Sequence, residues 1–250
     1  MRVLFLGAGY CAEYTGKFLS PNVKIFCTHR SKELLLRKAS EDKKHVSRFI
    51  FSDLLKDKEL FSSMTHILIS IPPDNKGDFV IREMQKTLSG MSKLVWLGYF
   101  STTGVYGDHN GAWVDEDSEL KTQNVRSINR IKAENQYLKL YKDFKTPIHI
   151  FRLPGIYGPE RSIFERLKDK DFRMVVKKDH FFSRVHVSDI ASAINLSMLS
   201  PTPGEIYNIV DDYPCPSDEI TSYACKLINI KEPLKIDFRD NFYSFLGLMG

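Results

Sequence analysis

The sequence predicts an α/β protein built on a doubly wound parallel sheet, and three observations support that prediction. Short apolar runs, which are typical of buried parallel strands, alternate with segments of helix-like spacing. The apolar strand at the amino terminus leads directly into a glycine turn. The chain has 250 residues, 42% of them hydrophobic, which suits one domain with a small additional lobe. Because such sheets bind ligands at the carboxyl ends of their strands, the loops there are the candidates for function.

The first strand, Val3–Leu6, is followed by a G-x-G-x-x-A pattern. Gly7 permits a tight turn, Gly9 lets the main chain approach a pyrophosphate, and the small Ala12 allows close packing of the next helix. A helix that begins near Tyr10 would turn its amide groups and positive dipole end toward the phosphates. A single glycine fingerprint is weak support, so the rest of the chain must supply the context. The predicted cofactor contacts of this turn are Gly7, Gly9, Tyr10, Cys11 and Ala12.

The remaining elements of the core continue the alternation of strands and helices. Further strands are predicted over Val23–Thr28, Val46–Phe51, His66–Ile71, Lys93–Leu97 and Pro147–Phe151. Helices are predicted over Ser31–Ala39, Gly77–Gly90 and Val125–Tyr141. This alternation implies parallel strands joined by right-handed crossovers, in a core that spans residues 1–152.

After Phe151 the pattern changes to a segment rich in proline and glycine. We expect residues 153–187 and 205–250 to form a small C-terminal substrate lobe within one dinucleotide-binding domain of residues 1–250. Strands are predicted there over Arg173–Lys177, Phe181–Val187 and Glu205–Val210. Helices are predicted over Asp189–Leu199, with Ser188 as the N-cap, and over Ser217–Ile228.

The composition disfavours several classes of protein. The net charge is +5, and basic and acidic residues are interleaved without a basic block, so we expect no nucleic-acid partner. The four cysteines and seven histidines lack ligand-like spacing, which predicts no metal site, no disulfide framework and a reducing compartment. No apolar run is long enough to span a membrane, and Glu13 and Lys17 follow the first strand too closely for a signal peptide. We therefore expect a cytoplasmic protein without a membrane partner.

Four motifs occur in a fixed order along the chain: the glycine turn, Ser101–Asp108, Pro154–Pro159 and Arg184–Ala191. Together they resemble the extended short-chain dehydrogenase/reductase superfamily, in its atypical NAD(P)-dependent epimerase/dehydratase-like branch from bacteria, commonly labelled nucleoside-diphosphate-sugar epimerase-like. The resemblance implies a Rossmann fold and a small substrate with a carbonyl or hydroxyl group, such as a nucleotide-sugar. Family members often dimerise through the helices predicted here over Gly77–Gly90 and Val125–Tyr141, which implies a homodimer.

The end of the second predicted strand favours NADP over NAD as the cofactor. An NAD site normally places an acid about 20 residues past the glycines, where it binds the ribose 2′-hydroxyl. Here the strand ends in Thr28, a predicted cofactor contact, followed by His29 and Arg30, with no acid. Arg30 offers a fork of donors to a 2′-phosphate. The alternative is that Arg30 is an exposed residue at the start of a helix.

The resemblance implies further cofactor contacts. Asp53 matches the position whose acid meets the adenine amino group, and a helix N-cap is the alternative reading. Pro72 lies where family members line the far ribose, although proline also terminates strands. The segment Pro154–Ile156 resembles the one beside the nicotinamide. The residues assigned in this way are Asp53, Leu54, Ser70, Ile71, Pro72, Pro154, Gly155 and Ile156.

The catalytic residues of the family are only partly present. Family members use a Ser or Thr after the fifth strand together with a Tyr-x-x-x-Lys pair, whose tyrosine moves a proton while the lysine holds the ribose. The motif spacing places the hydroxyl residue at Thr102, with ordinary β-branched strand filling as the alternative. Lys132 falls near the lysine position, or is a surface lysine, and Ile128 stands where the tyrosine would be. Thr103 and Gly104 replace the acids of the dehydratases.

Other residues could supply a proton by type alone: Tyr106, Tyr157, His186 and the acidic run Asp115–Asp117. Each also has a structural reading, as a packed ring, a hydrogen-bonding residue or part of a solvated loop. Two functions stay open at this point. One is an oxidoreductase or epimerase-like enzyme that uses Thr102, and the other is a non-catalytic NADP(H)-binding sensor or assembly protein, which Ile128 favours. The resemblance also implies another helix after Phe245–Gly250, so a natural end and a truncation are both open.

Overall fold

The computed structural model of the chain describes residues 1–39 and 45–238. Within these residues the strands are, in chain order, β1 (Arg2–Leu6), β2 (Lys24–His29), β3 (Val46–Ile50), β4 (His66–Ile69), β5 (Trp96–Thr102), β6 (Ile148–Leu153), β7 (Gly155–Tyr157), β8 (Met174–Val176), β9 (Arg184–His186), β10 (Ile206–Asn208) and β11 (Lys235–Asp237). The helices are α1 (Tyr10–Phe18), α2 (Lys32–Ala39), α3 (Phe51–Leu54), α4 (Lys58–Ser62), α5 (Phe79–Ser89), α6 (Val125–Phe144), α7 (Ile163–Leu167), α8 (Val187–Leu199) and α9 (Ser217–Leu227), with a 3₁₀ turn at Thr103–Val105.

Seven strands form one sheet in the order β10-β6-β5-β4-β1-β2-β3, and every neighbouring pair is parallel. The chain starts in the middle of this sheet, builds outward through β2 and β3, and then crosses back to β4 on the other side of β1. This reversal beside β1 is the switch point at which doubly wound sheets bind ligands, outside the carboxyl ends of the strands. The predicted Rossmann-like α/β fold is confirmed.

The sheet is apolar because helices cover both of its faces. Side chains of β1 point alternately to the two faces. Leu4 and Leu6 belong to a buried cluster with residues of α5 and α6. Phe5 faces the other side, where α1 lies so close that a Cβ on Gly16 would be 3.3 Å from the Phe5 ring. Close packing between α1 and the sheet therefore holds the glycine turn at its strand.

Several predicted boundaries are wrong by a few residues. Strand β5 begins at Trp96 and runs to Thr102, later than the predicted Lys93–Leu97, because Gly98 and the polar end of the strand lack the expected apolar pattern. Gly98 has a packing role, since the ring of Trp96 occupies the space a side chain there would need. Helix α8 begins at Val187, directly after β9, so Ser188 lies inside its first turn and is not the N-cap.

The chain divides into two compact units. The sheet unit comprises Met1–Asp108, Val114–Leu153 and Val187–Ile209. Strand β10, which the sequence assigned to the substrate lobe, is part of its sheet, because β10 completes its backbone hydrogen bonds against β6.

The small unit comprises His109–Trp113, Pro154–His186 and the described residues from Val210 onward. It contains two short parallel pairs, β7 with β9 and β8 with β11. Trp113 in this unit is 79% exposed, whereas Trp96 of the sheet unit is fully buried. None of the helices in the described part of the chain combines the length and the hydrophobicity that crossing a bilayer requires. The segment Phe245–Gly250 lies outside the described residues.

Candidate functional site

The glycine turn between β1 and α1 is held from behind by hydrogen bonds. The Gly7 amide donates to Thr28 Oγ1 at 2.9 Å, and the Ala8 amide donates to the Thr28 carbonyl at 3.0 Å. The hydroxyl of Ser70, which follows β4, donates to the Gly7 carbonyl. Gly7 has φ +85°, and a Cβ there would lie 2.9 Å from Ile71 Cγ1. Both the backbone conformation and the lack of space therefore require glycine at position 7.

Gly9 faces an entirely different environment. It is the N-cap of α1, has an extended backbone and makes no capping bond through a side chain. A Cβ on Gly9 would meet no atom within 4 Å, whereas Ala12, one turn later, is fully buried. The main chain at the start of α1 is thus exposed by the absence of a side chain. This surface fits a diphosphate, which binds best where backbone amides and the positive end of a helix dipole meet it.

Four of the predicted cofactor contacts serve the turn itself. Thr28 is 1% exposed, and its hydroxyl also donates to the Phe5 carbonyl at 3.3 Å. Ser70 is bonded to Gly7 and Ile71 packs against the hydrophobic core. Cys11 is buried in the first turn of α1, where its carbonyl accepts a hydrogen bond from the Thr15 hydroxyl. These side chains shape the turn and leave its outer surface to the main chain.

The carboxyl ends of β2 and β3 place the residues predicted to meet the adenosine. Arg30 follows β2 and is exposed, and its guanidinium pairs with no acid among residues 1–39 and 45–238. Asp53 lies in the first turn of α3, and its exposed carboxylate pairs with Lys56 Nζ at 3.2 Å. The N-cap of α3 is Ile50, so the N-cap reading of Asp53 is wrong. The side chain of Leu54 is 1% exposed and belongs to the hydrophobic core.

Lys132 lies on the exposed side of α6 and holds the loop that follows β4. Its Nζ donates to the Asn75 carbonyl at 3.1 Å. One turn further, Gln136 Oε1 accepts from the Asp78 amide at 2.8 Å. Pro72 lies in this loop and is exposed. The structure therefore places Lys132 against the loop predicted to line the far ribose.

Thr102 stands at the end of β5 and caps the 3₁₀ turn. Its Oγ1 accepts a hydrogen bond from the Gly104 amide at 3.1 Å. The α6 helix begins close by, since a Cβ on Gly104 would lie 2.8 Å from Ser127 Oγ. Ile128, the next residue of α6, is half-buried and brings no proton donor to this corner.

The other proton-donor candidates of the sheet unit are engaged in a buried network. Tyr106 donates to Asn208 Oδ1 and accepts from Arg152 Nη1, both at 2.8 Å. A Glu116 carboxylate oxygen accepts from the Asn208 amide at 2.6 Å. Arg152 grips Glu134 with two bonds, of 3.2 and 2.8 Å, and both side chains are 3% exposed. Tyr106 and Glu116 thus link β6 and β10 to the segment between the 3₁₀ turn and α6.

The other two acids of the run Asp115–Asp117 are exposed. The Ser118 hydroxyl donates to the Asp115 carboxylate at 2.7 Å and lowers the pKa of that group. Asp117 also lies on the loop between the 3₁₀ turn and α6. Both are typical of a solvated turn.

Tyr157, His186 and the segment Pro154–Ile156 belong to the small unit. Their strands pair in register, with Ile156 opposite Val185 and Tyr157 opposite His186. The rings of Tyr157 and His186 meet edge to face with 5.2 Å between centroids. Within this unit the two side chains act as a packed pair.

Arg130 is a basic residue of this corner that sequence reasoning missed. Its Nη1 donates to the Phe100 carbonyl and, at 3.2 Å, to the Tyr99 hydroxyl. Arg130 precedes Glu134 by one helical turn, so both lie on the side of α6 that faces the sheet, while Lys132 does not. That spacing, together with the buried positions Ala133 and Tyr137, is the signal that could have identified it.

The chain is similar to known proteins over most of its length. A scan against models of protein families finds no match. A curated relative, dTDP-D-glucose 4,6-dehydratase from Dictyostelium discoideum, is 23% identical over 263 residues, which cover 90% of this chain. The chain spans about 60% of the length of that relative.

Solved structures give a closer likeness over more of the chain. A functionally unknown conserved protein from Silicibacter pomeroyi is 34% identical with a TM-score of 0.87, covering 95% of this chain and 82% of that one. UDP-glucuronic acid 4-epimerase from Bacillus cereus, solved in complex with NAD, is 18% identical with a TM-score of 0.81, covering 95% and 87%. The curated relative and the epimerase belong to the extended short-chain dehydrogenase/reductase superfamily, in the NAD-dependent epimerase/dehydratase family, which the glycine turn and the order of the motifs in this chain resemble.

Proposed function

We propose that this protein binds NADP(H) at the glycine turn and acts as an oxidoreductase or epimerase-like enzyme on a small substrate with a carbonyl or hydroxyl group. The observation that carries the proposal is the contrast within the turn, which is packed shut at Gly7 and open at Gly9. An open main chain at a helix start is what a dinucleotide diphosphate requires. The epimerase of similar fold was solved with NAD. A nucleotide-sugar is the proposed substrate class.

The preference for NADP rests on the end of β2. Arg30 is exposed there, and the strand ends in Thr28 and His29 without an acid that would repel a 2′-phosphate. A guanidinium gives a phosphate two parallel, charge-assisted hydrogen bonds. The remaining predicted contacts, including Tyr10, Pro72, Gly155 and the carboxylate of Asp53, belong to the same proposal.

The proposed chemistry is limited by what the corner at β5 offers. A bound nicotinamide would supply or accept the hydride. Thr102 Oγ1 accepts from Gly104, so its hydroxyl proton is directed away from that bond and can hold a substrate oxygen. Ile128 cannot move a proton, and Lys132 is proposed to steady the loop after β4. The proton that reduction of a substrate carbonyl requires would then come from water or from another group beside the substrate.

A second candidate function is a non-catalytic NADP(H)-binding sensor or assembly protein. The observation that favours it is the engagement of Tyr106 and Glu116 in the buried network, together with Ile128 on α6. We also propose a homodimer through α5 and α6, which pack against each other in the sheet unit. Sedimentation of the purified protein would test that assembly.

Titration with NADPH and NADH, followed by cofactor fluorescence, tests the binding proposal. Gly9→Val should weaken both by at least about 100-fold, because the new side chain fills the space assigned to the diphosphate. Gly90→Ala is the matched control, since a Cβ there meets only ordinary contacts from 3.4 Å. Tight wild-type binding that survives Gly9→Val would contradict the proposal. Turnover with carbonyl compounds or nucleotide-sugars separates the enzyme from the sensor.

A further inference from the structure

Three side chains from three elements meet beside the end of β2. Arg48 of β3 makes two bonds to the carboxylate of Glu13 on α1, Nη1 to Oε1 at 2.6 Å and Nη2 to Oε2 at 3.1 Å. The same Nη1 lies 2.8 Å from Nε2 of His29, the last residue of β2. Side-chain exposure is 6% for Arg48 and 22% for Glu13, so the pair is largely removed from solvent.

The sheet register explains how Arg48 reaches this point. Arg48 is paired with Cys27, two residues before the end of β2. Side chains two apart on a strand share a face, so His29 stands on the same face as Cys27, next along the strand. The long side chain of Arg48 extends past Cys27 to His29 and stops at the first turn of α1. Its charge therefore lies at the carboxyl end of the sheet, next to the residue that precedes Arg30.

Stability alone gives a weak reason for this cluster. A buried ion pair often contributes no more than well-packed apolar side chains of the same volume would. The charges instead set the electrostatics of the place at which doubly wound sheets read the ribose 2′ position. Arg30 and Arg48 carry two positive charges and Glu13 one negative charge. Because an arginine can only donate, His29 accepts the hydrogen bond from Arg48 at Nε2 and adds no positive charge through that atom.

We propose that Glu13 and Arg48 are specificity-determining residues that set the preference for a 2′-phosphorylated adenosine. Arg48 is a positioning residue: it fixes His29 at the end of β2 and adds positive charge behind Arg30. Glu13 fixes Arg48 and offsets part of that charge. The inference rests on the proposed NADP(H) binding and extends it from the exposed Arg30 to two residues that are 35 positions apart in the chain.

Two nucleotides that differ only in the 2′-phosphate, adenosine 2′,5′-bisphosphate and 5′-AMP, test the inference on the full chain by calorimetric titration. Arg48→Met should weaken the bisphosphate by about tenfold and 5′-AMP by less than about twofold, because only the former presents charge at the 2′ position. Glu13→Gln, which keeps the shape of the side chain, should strengthen the bisphosphate by about threefold. In both variants the affinity for NADPH should change in the same direction as that for the bisphosphate, and the affinity for NADH should change little, like that for 5′-AMP.

Lys139→Met is the matched control, because it removes one positive charge from the exposed Lys139–Asp143 pair on α6. It should leave the ratio of the two affinities unchanged. Equal weakening of both nucleotides by Arg48→Met, or an unchanged ratio in Glu13→Gln, overturns this inference while leaving dinucleotide binding intact. A wild-type protein that binds neither nucleotide nor NADPH overturns the proposed function as well. Glu13→Gln decides the matter if Arg48→Met fails to fold.

Discussion

Two corners of the same sheet differ in how their polar groups are used. At the β1–α1 corner, Thr28 and Ser70 hold the turn from behind, and the main chain at Gly9 is left open. At the corner where β5 meets α6, polar side chains are bonded to one another, as in the Glu134–Arg152 pair. An open main chain is suited to binding a ligand, whereas a closed network is suited to holding loops. The comparison teaches that one sheet can leave its main chain open at one strand end and bond its polar side chains to one another at another strand end.

The largest expected effect is a loss of stability at the corner where β5 meets α6. Arg152→Ala should destabilise the protein by about 3–5 kcal/mol, because it leaves the Glu134 carboxylate buried without its partner. The free energy of unfolding from denaturant titration measures this loss. NADPH affinity of the folded variant should change by less than about threefold, since the network does not include the glycine turn.

Arg82→Ala is the control for that experiment, because its ion pair with Asp74 is partly exposed. Such a pair contributes about 0–1 kcal/mol. A loss of similar size in both variants would show that the buried Arg152–Glu134 pair stabilises the fold no more than a partly exposed ion pair does.

A smaller loss of stability distinguishes the two glycines of the β1–α1 corner. Gly7→Ala should cost about 2–3 kcal/mol, because alanine disfavours φ +85° and its Cβ would press on Ile71. Gly9→Ala should cost less than about 0.5 kcal/mol, since its Cβ enters open space. Thermal unfolding without ligand gives both values. Equal losses would remove the distinction between the closed and open sides of the turn.

The smallest effect is a pH dependence of stability that arises from β6, which borders the corner where β5 meets α6. Burial lowers the pKa of His149 on β6 to about 4, and its Nε2 accepts a hydrogen bond from the Thr202 amide at 2.9 Å. The unfolded chain binds this proton at an ordinary pKa near about 6.5, so stability should fall as the pH drops from about 6.5 to 4. The full shift corresponds to about 3 kcal/mol, and partial solvent screening of the ring reduces the expected loss to about 2 kcal/mol.

His149→Gln should flatten that dependence, as measured by unfolding at a series of pH values. Burial also lowers the pKa of His66 on β4, so part of the slope will persist. A slope identical to that of the wild type would rule out His149 as its source.

Much of the fold could be predicted because its signals are local. The run Val3–Leu6 followed by the glycine turn names a strand, a turn and a helix within a dozen residues. Helix α6 was found from its spacing, and it begins at the predicted Val125. Strand β5 was misplaced because Gly98 and the polar Ser101 break the apolar run, although both suit their packing.

The side-chain partnerships could not be predicted, because they depend on sheet register. Arg48 meets Glu13 across 35 positions only because β3 lies beside β2 and α1 covers that face. Glu134 meets Arg152 in the same way, across α6 and β6. From the sequence alone, each of these residues is expected to be an ordinary exposed charge. Arg130 is missed by sequence analysis for a related reason, since the rotation of α6 decides which of its residues face the sheet.

The contrast between the two tryptophans has a practical consequence. Trp96 is fully buried at the start of β5, and its indole nitrogen donates to the Ser197 hydroxyl at 2.9 Å, while Trp113 is in the small unit and exposed to water. Their emission should differ in colour and in access to acrylamide, so single Trp96→Phe and Trp113→Phe proteins each give a spectroscopic reporter for one unit. Ligand titrations can then be followed separately in each half of the molecule, without any added label.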